Sequence, residues 1–493
     1  MNRVKALDLQ DRPVHSWLRQ VRVAFLPGPL TAFLEEVLAG LKERFLFWGH
    51  TVQETPDGST DAILTTALFG QPIPWHRAML FSARRRFRLH QTPSIYTLIH
   101  APSTVFRRLL DHLANALSKE EPDPADFSFP GLSPRAYRVL FEQGRRGGPL
   151  LALERVIQAQ AKSMNVLLAV GGEQLEEMYY FNLVGAHPRS TPPPVETVHQ
   201  DMVLRIVTTL SAQTVTEHQV VDDPLPAEAW RSLSTPKAMV RASRELGRRH
   251  FFTPMVRIAD LVEIPFVSDA VASQYSEGCF ATWDPVLGGL IATATGSLHE
   301  VEKSNITEDD LAIIAGIRPD GRGALIRHVA GRPEVFPSSE AVEMMEMDRP
   351  LPLIDLPPEW GITRAVPVIR SKLHGHRGIA AYDPSWVEFV PVAPPYAYYP
   401  VSCATDAQAH AVRDAFARSE ALQNPSDPRQ VVFTLLPGHG VVIAEKWVVG
   451  KAPFQAIWEL MDTGGLEVES PVPQGPLTET TGPDGRRYLR SIL

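Results

Sequence analysis

At 493 residues the chain is too long for one hydrophobic core and is expected to form two or three domains. A hydrophobic fraction of 44% excludes disorder along the whole length, and a net charge of −8 excludes a general nucleic-acid binder, which needs a basic face against phosphate. Two cysteines, Cys279 and Cys403, with no CxxC pair exclude a disulfide framework and a thiolate zinc site, so a reducing cytoplasm is expected, with no membrane span and no export leader.

Residues 21–26 form a short apolar run that stops at Pro27-Gly28-Pro29, and apolar residues recurring at three and four predict a helix over 30–47. Residues 61–68 and 94–100 read as further strands, and Ser103 as the cap of a helix reaching Lys119. Such alternation predicts a parallel sheet covered by helices. The proline-rich, acidic stretch 120–134 reads as a linker or an irregular crossover. A second unit then starts with a helical pattern at 150–164 and a buried strand at 165–170. After Pro192-Pro193-Pro194, residues 202–210 and 214–221 read either as two strands or as a helix and a strand.

The expected organisation is therefore an N-terminal α/β domain over 1–120, a second α/β unit over 135–230 and a third domain over 240–493. Together the first two would make a doubly wound α/β region of one or two Rossmann-like layers. Neither GxGxxG nor GxxxxGK[ST] occurs in it, so the glycine-rich backbone that cradles phosphate is missing. Arg84, Arg85, Arg86 and Arg88 read as a solvated helix face, an anion site or a contact with a neighbouring subunit being the alternatives.

Chemistry concentrates in the last third. Pro337-Ser338-Ser339-Glu340 is followed by His374-Gly375-His376 and then by Pro437-Gly438-His439-Gly440. Residues two apart in a strand face the same side, so His374 and His376 can aim both imidazoles at one point. A third histidine from another strand completes a His₃ set, the arrangement of catalytic rather than structural zinc, and neutral ligands leave the ion a strong Lewis acid.

In its order and spacing this region resembles the class II aldolase and adducin family. The resemblance covers about residues 240–465, some 220 positions in collinear order, and is carried by 273–284, 290–297, 306–311, PSSE, HGH and 433–445. It implies an αβα domain with a central, largely antiparallel sheet. His374, His376 and His439 would hold one divalent ion, Zn²⁺ or alternatively Mn²⁺, with Glu340 as the acid/base beside it. Thr295, Gly296, Ser338 and Ser339 would bind substrate.

The reaction implied is that of a metal-dependent aldolase-like lyase, acting on a small sugar (phosphate) or keto-acid substrate through a metal-stabilised enediolate. Epimerisation of a sugar phosphate and decarboxylation use the same site. A non-catalytic adducin-like binding or scaffold protein, and a regulator whose N-terminal region senses a ligand, are the alternatives. A homo-oligomer is expected from the resemblance, and neither nucleic acid nor membrane is an expected partner.

Four departures from the family pattern stand out. Glu277-Gly278 occupies the place of a phosphate-binding Gly-Asn, which favours a non-phosphorylated substrate. The stretch between Glu340 and His374 is long, reads as a lid, and offers Asp355 and Glu359 as rival acids. The segment 377–400 is short and holds Tyr396, Tyr398 and Tyr399 as candidate proton donors. The first ~230 residues have no counterpart, and that size demands at least one further domain.

Overall fold

The computed structural model describes residues 20–69, 93–121, 165–182, 185–189, 195–211, 219–252, 278–294, 303–319, 324–337, 344–394, 406–469 and 476–491, with a few single positions between them. The chain is an α/β protein divided into two compact units; among the described residues the first ends at Ser211 and the second begins at Gln219.

The first unit is built on a seven-stranded sheet. Its elements are β1 (Arg22–Phe25), α1 (Ala32–Phe47), β2 (Thr51–Gln53), β3 (Ala62–Leu68), β4 (Ser94–Ala101), α2 (Ser103–Leu117), β5 (Val166–Gly171), β6 (Leu175–Asn182), β7 (Gly185–Arg189) and α3 (Val195–Ser211). The strand order is β2-β1-β3-β4-β5-β6-β7, parallel as far as β5 and antiparallel after it.

Thr31 starts α1 where the sequence can pay the capping requirement, since its hydroxyl accepts the Leu34 N–H at 3.2 Å. From there Leu34, Val37, Leu38, Leu41 and Phe45 turn one buried stripe inward. His100 of β4 stacks on Phe33 of α1, while its neighbours Ile99 and Ala101 pack in the cluster that holds Phe106 and Leu113 of α2. Adjacent strand residues face opposite sides, so α1 and α2 cover opposite faces of the sheet.

β4 and β5 lie on either side of the linker expected at 120–134, yet they are hydrogen-bonded neighbours. Here the chain builds one layer where the sequence suggested a boundary. Parallel neighbours require a long crossover, and that is the place this stretch occupies. Residues 202–210, read as a strand or a helix, belong to α3.

The second unit centres on a nine-stranded sheet. It begins with β8 (Gln219–Val220), α4 (Ala227–Ser232), α5 (Thr235–Arg248), β9 (Cys279–Asp284), β10 (Gly289–Thr293), β11 (Leu311–Ile317) and β12 (Ala324–Arg327). There follow β13 (Leu353–Ile354), β14 (Val366–Pro367), β15 (Ile369–Gly375), β16 (Gly378–Tyr382), β17 (Val387–Phe389), α6 (Asp406–Phe416), α7 (Glu420–Gln423), β18 (Val431–Leu436) and β19 (Gly440–Lys446). Last come α8 (Gln455–Thr463), β20 (Leu466–Glu469), β21 (Leu477–Thr481) and β22 (Arg487–Ser491).

The order is β17-β18-β19-β15-β9-β10-β11-β12-β8, antiparallel except for the two outermost pairs. A four-stranded sheet, β20-β16-β22-β21, and the short pair β13-β14 complete the unit. Phe280, Ile291, Leu373, Phe433 and Ile443 share one buried cluster with Met239 and Leu246 of α5 and Ile457 and Trp458 of α8. These strand residues define one face. Their neighbours Cys279, Lys372, His374, Val442 and Ala444 therefore point from the other.

Candidate metal centre

Three central strands end or begin at one place. β15 finishes at Gly375, β9 starts at Cys279 and β19 starts at Gly440, with His374 in register with Cys279 on one side and Val442 on the other. His374 and His376 arrive on β15 and the residue just beyond it, as a spacing of two requires. His439 comes from the hairpin between β18 and β19. Leu436 pairs with Gly440, so Pro437, Gly438 and His439 form a three-residue loop, in which Gly438 takes the left-handed conformation (φ 67°) and the His439 N–H donates to Leu436 O at 2.9 Å.

The three rings converge. Ring centroids are 5.3 Å apart for His374 and His376, 5.0 Å for His374 and His439, and 5.2 Å for His376 and His439. The ligand nitrogens lie within 4.8 Å of one another, against about 3.3 Å for two nitrogens on one tetrahedral zinc at ordinary Zn–N distances. His374 and His439 are fully buried and His376 half-buried.

His374 Nδ1 lies 3.0 Å from Val441 O, and since a carbonyl only accepts, this nitrogen carries the proton. Nε2 then presents its lone pair, and this buried atom has no hydrogen-bond partner among the described residues. A metal-ligating histidine is held in this way, one nitrogen donating to a carbonyl and the other facing the ion. The donor set thus fits a divalent cation of the zinc type, with three neutral imidazoles and no carboxylate among them.

Glycine makes the convergence possible. A Cβ on Gly278 (φ 61°) would overlap His374 O, and one on Gly440 would overlap Gly375 O and sit 3.1 Å from the His376 Cα. Only glycine lets β9 and the hairpin approach the histidine strand this closely.

The other sequence-derived residues divide into two groups. Thr295, Gly296, Ser338, Ser339, Glu340, Glu277, Tyr398 and Tyr399 lie outside the described residues, as do Arg84, Arg85, Arg86 and Arg88. Their immediate neighbours Ala294 and Pro337 are described, and an isolated antiparallel bridge joins them. Ala294 follows β10 at the sheet end where β9 begins and β15 finishes. The backbone leading to Thr295 and the backbone leading to Ser338 therefore meet at the end of the sheet that carries the histidines.

The structure corrects two readings. Asp355 and Glu359 are exposed and follow β13, which pairs with β14 just ahead of the start of β15, whereas His374 stands near its finish. These acids belong to the opposite end of the sheet. Nor is the stretch beginning at Asp348 a free lid: Met347 and Leu351 are buried, and Asp348 is paired with the fully buried Lys372. Tyr396 is buried.

Sequence reasoning missed that ion pair. Lys372 is two residues ahead of His374 on the same face, and its partner anchors residues 344–351 to the sheet. Burial pushes the Asp348 carboxyl up and the Lys372 ammonium down, and the attraction between them opposes both.

Among the described residues no helix is long and apolar enough to cross a membrane. Comparison with protein-family models, with curated proteins and with solved structures gave no match for this chain.

Proposed function

We propose that the second unit is a metal-dependent, class II aldolase-like lyase domain, making or breaking a carbon–carbon bond next to a carbonyl in a small hydroxylated or keto-acid substrate. The observation that carries this reading is the buried Nε2 of His374, converging with His376 and His439 at the end of a largely antiparallel sheet. His374, His376 and His439 would hold one divalent ion, zinc in the first place. When bound, such an ion supplies Lewis-acid stabilisation of the negative charge that grows on a carbonyl oxygen.

The chain's own residues set the rest. Val441 O fixes the tautomer and orientation of His374. The buried strands around the triad keep bulk water from its inner side, which strengthens each electrostatic contact made there. Glu340 is the proposed group that moves the proton at the carbon next to the carbonyl. Thr295, Gly296, Ser338 and Ser339 are the proposed substrate-binding positions, and the bridge between Ala294 and Pro337 supports bringing the two pairs to the histidine end. A cytoplasmic homo-oligomer completes the proposal.

The test is proton exchange. Zinc-loaded protein in D₂O is incubated with a panel of hydroxyketones and 2-keto acids, and loss of the proton next to the carbonyl is followed by NMR. Exchange that disappears on chelation and in Glu340→Gln is expected. Protein that holds zinc at unit stoichiometry but exchanges no member of the panel would favour the adducin-like binding role instead.

A further inference from the structure

β11 and β12 separate before they reach the histidine end of the sheet. Their last paired residues there are Ile313 and Arg327. Beyond that pair the two segments line an open cleft of about 320 Å³, counted out to its mouth, which is the small end of the range for sites that hold small molecules. β11 is the third strand along from β15 and β12 the fourth, so the cleft stands roughly 14–19 Å from His374 at ordinary strand spacing. One small molecule cannot span both places.

The cleft's two walls carry opposite charge. Glu308 and Asp309, from the turn that leads into β11, stand on one, and Arg327, His328 and Arg332, from the end of β12 and the turn after it, stand on the other. An ion pair between Arg332 and Asp309 joins them, and the same guanidinium lies over the Trp230 ring, 5.2 Å from its centroid. Arg327 is held by Asp223 through Nε and Nη2, which leaves Nη1. Among the described residues the half-buried Glu308 carboxylate has no ion pair, and the buried Nε2 of His328 has no hydrogen-bond partner. Between the walls lie Leu311, Ile313 and Val329, which belong to the apolar core or pack against it.

A dipolar molecule with an apolar side chain meets all three parts at once. Its carboxylate accepts from the guanidinium and imidazole N–H groups, its ammonium donates to the acidic wall, and its side chain covers the apolar floor. A ligand with one charge alone takes water from the opposite wall without replacing it. We infer that this cleft is a binding site for a small α-amino acid with an apolar side chain, separate from the histidine cluster.

Hydrogen exchange of the full chain, followed by mass spectrometry, tests it with three probes of one shape. These are L-valine, isovalerate, which lacks the ammonium, and isobutylamine, which lacks the carboxylate. L-Valine should slow exchange in peptides covering 308–313 and 327–335 with a midpoint on the order of 1 mM, and each analogue should bind at least about tenfold more weakly. Glu308→Gln should weaken L-valine about tenfold and leave isovalerate unchanged, because only an ammonium meets that side chain.

Protection by L-valine that is absent, or confined to peptides holding His374, His376 and His439, overturns the inference. So do three probes of equal affinity, or a Glu308→Gln protein that binds L-valine as the wild type does. Should Glu308→Gln lose its fold, seen as faster exchange throughout, the location of protection and the ranking of the three probes on wild-type protein decide. None of these outcomes bears on the metal reading of the triad, which zinc retention tests by itself.

Discussion

Gly440 and Gly375 meet backbone to backbone at the mouth of the histidine cluster, so closely that a Cβ on Gly440 would overlap the Gly375 carbonyl oxygen. The obstacle is backbone on a central strand, which has no rotamer through which to yield. Gly440→Ala should therefore destabilise the protein by more than about 2 kcal/mol and displace the β18–β19 hairpin that carries His439. Urea denaturation and zinc titration check it together. A variant of wild-type stability and zinc affinity would mean that the approach is looser than described.

Lys372 and Asp348 make a second prediction. Both groups are withdrawn from water, and each is tolerated because the other is present. Lys372→Met leaves a buried carboxylate alone and should cost about 3 kcal/mol, while Lys372→Met combined with Asp348→Leu should restore most of that loss. Single and double variants that were equally destabilised would show the pair to be uncoupled.

At Asp427 the prediction concerns pH. The Arg429 guanidinium, 2.6 Å from its Oδ2, holds this carboxyl down from the usual 3.8 to about 2. A depressed folded-state value stabilises the protein above the unfolded value and loses that contribution as pH falls toward the folded one. The stability difference between wild type and Asp427→Asn should accordingly be constant above about pH 5 and shrink steadily between about pH 4 and 2. Urea midpoints measured across that range decide it, and a difference that ignores pH there contradicts the assignment.

Much of this organisation is legible in the residues. The alternation in Leu373-His374-Gly375-His376 already places two imidazoles on one side, and Pro437-Gly438 already marks the hairpin that delivers the third. What sequence alone does not carry is partnership over distance. That β9 would lie beside β15, setting Cys279 opposite His374, depends on pairing between segments about ninety residues apart in the numbering. The bridge from Ala294 to Pro337 is of the same kind. Lys372 misleads for another reason, since a lysine in a strand reads as exposed until Asp348 is found against it. The crossover at 120–134 has the composition of a linker, and only the β4–β5 pairing shows that one sheet continues across it.

Direct measurement of bound metal by mass spectrometry, on protein incubated with zinc and then desalted, tests the central claim. Wild-type protein should retain roughly one zinc per chain, and His374→Ala, His376→Ala and His439→Ala should each retain less than about a tenth, because a three-ligand site that loses one imidazole no longer holds the ion through desalting. Wild-type protein that retains less than about a tenth of an equivalent, or histidine variants that retain as much as wild type, would contradict the account.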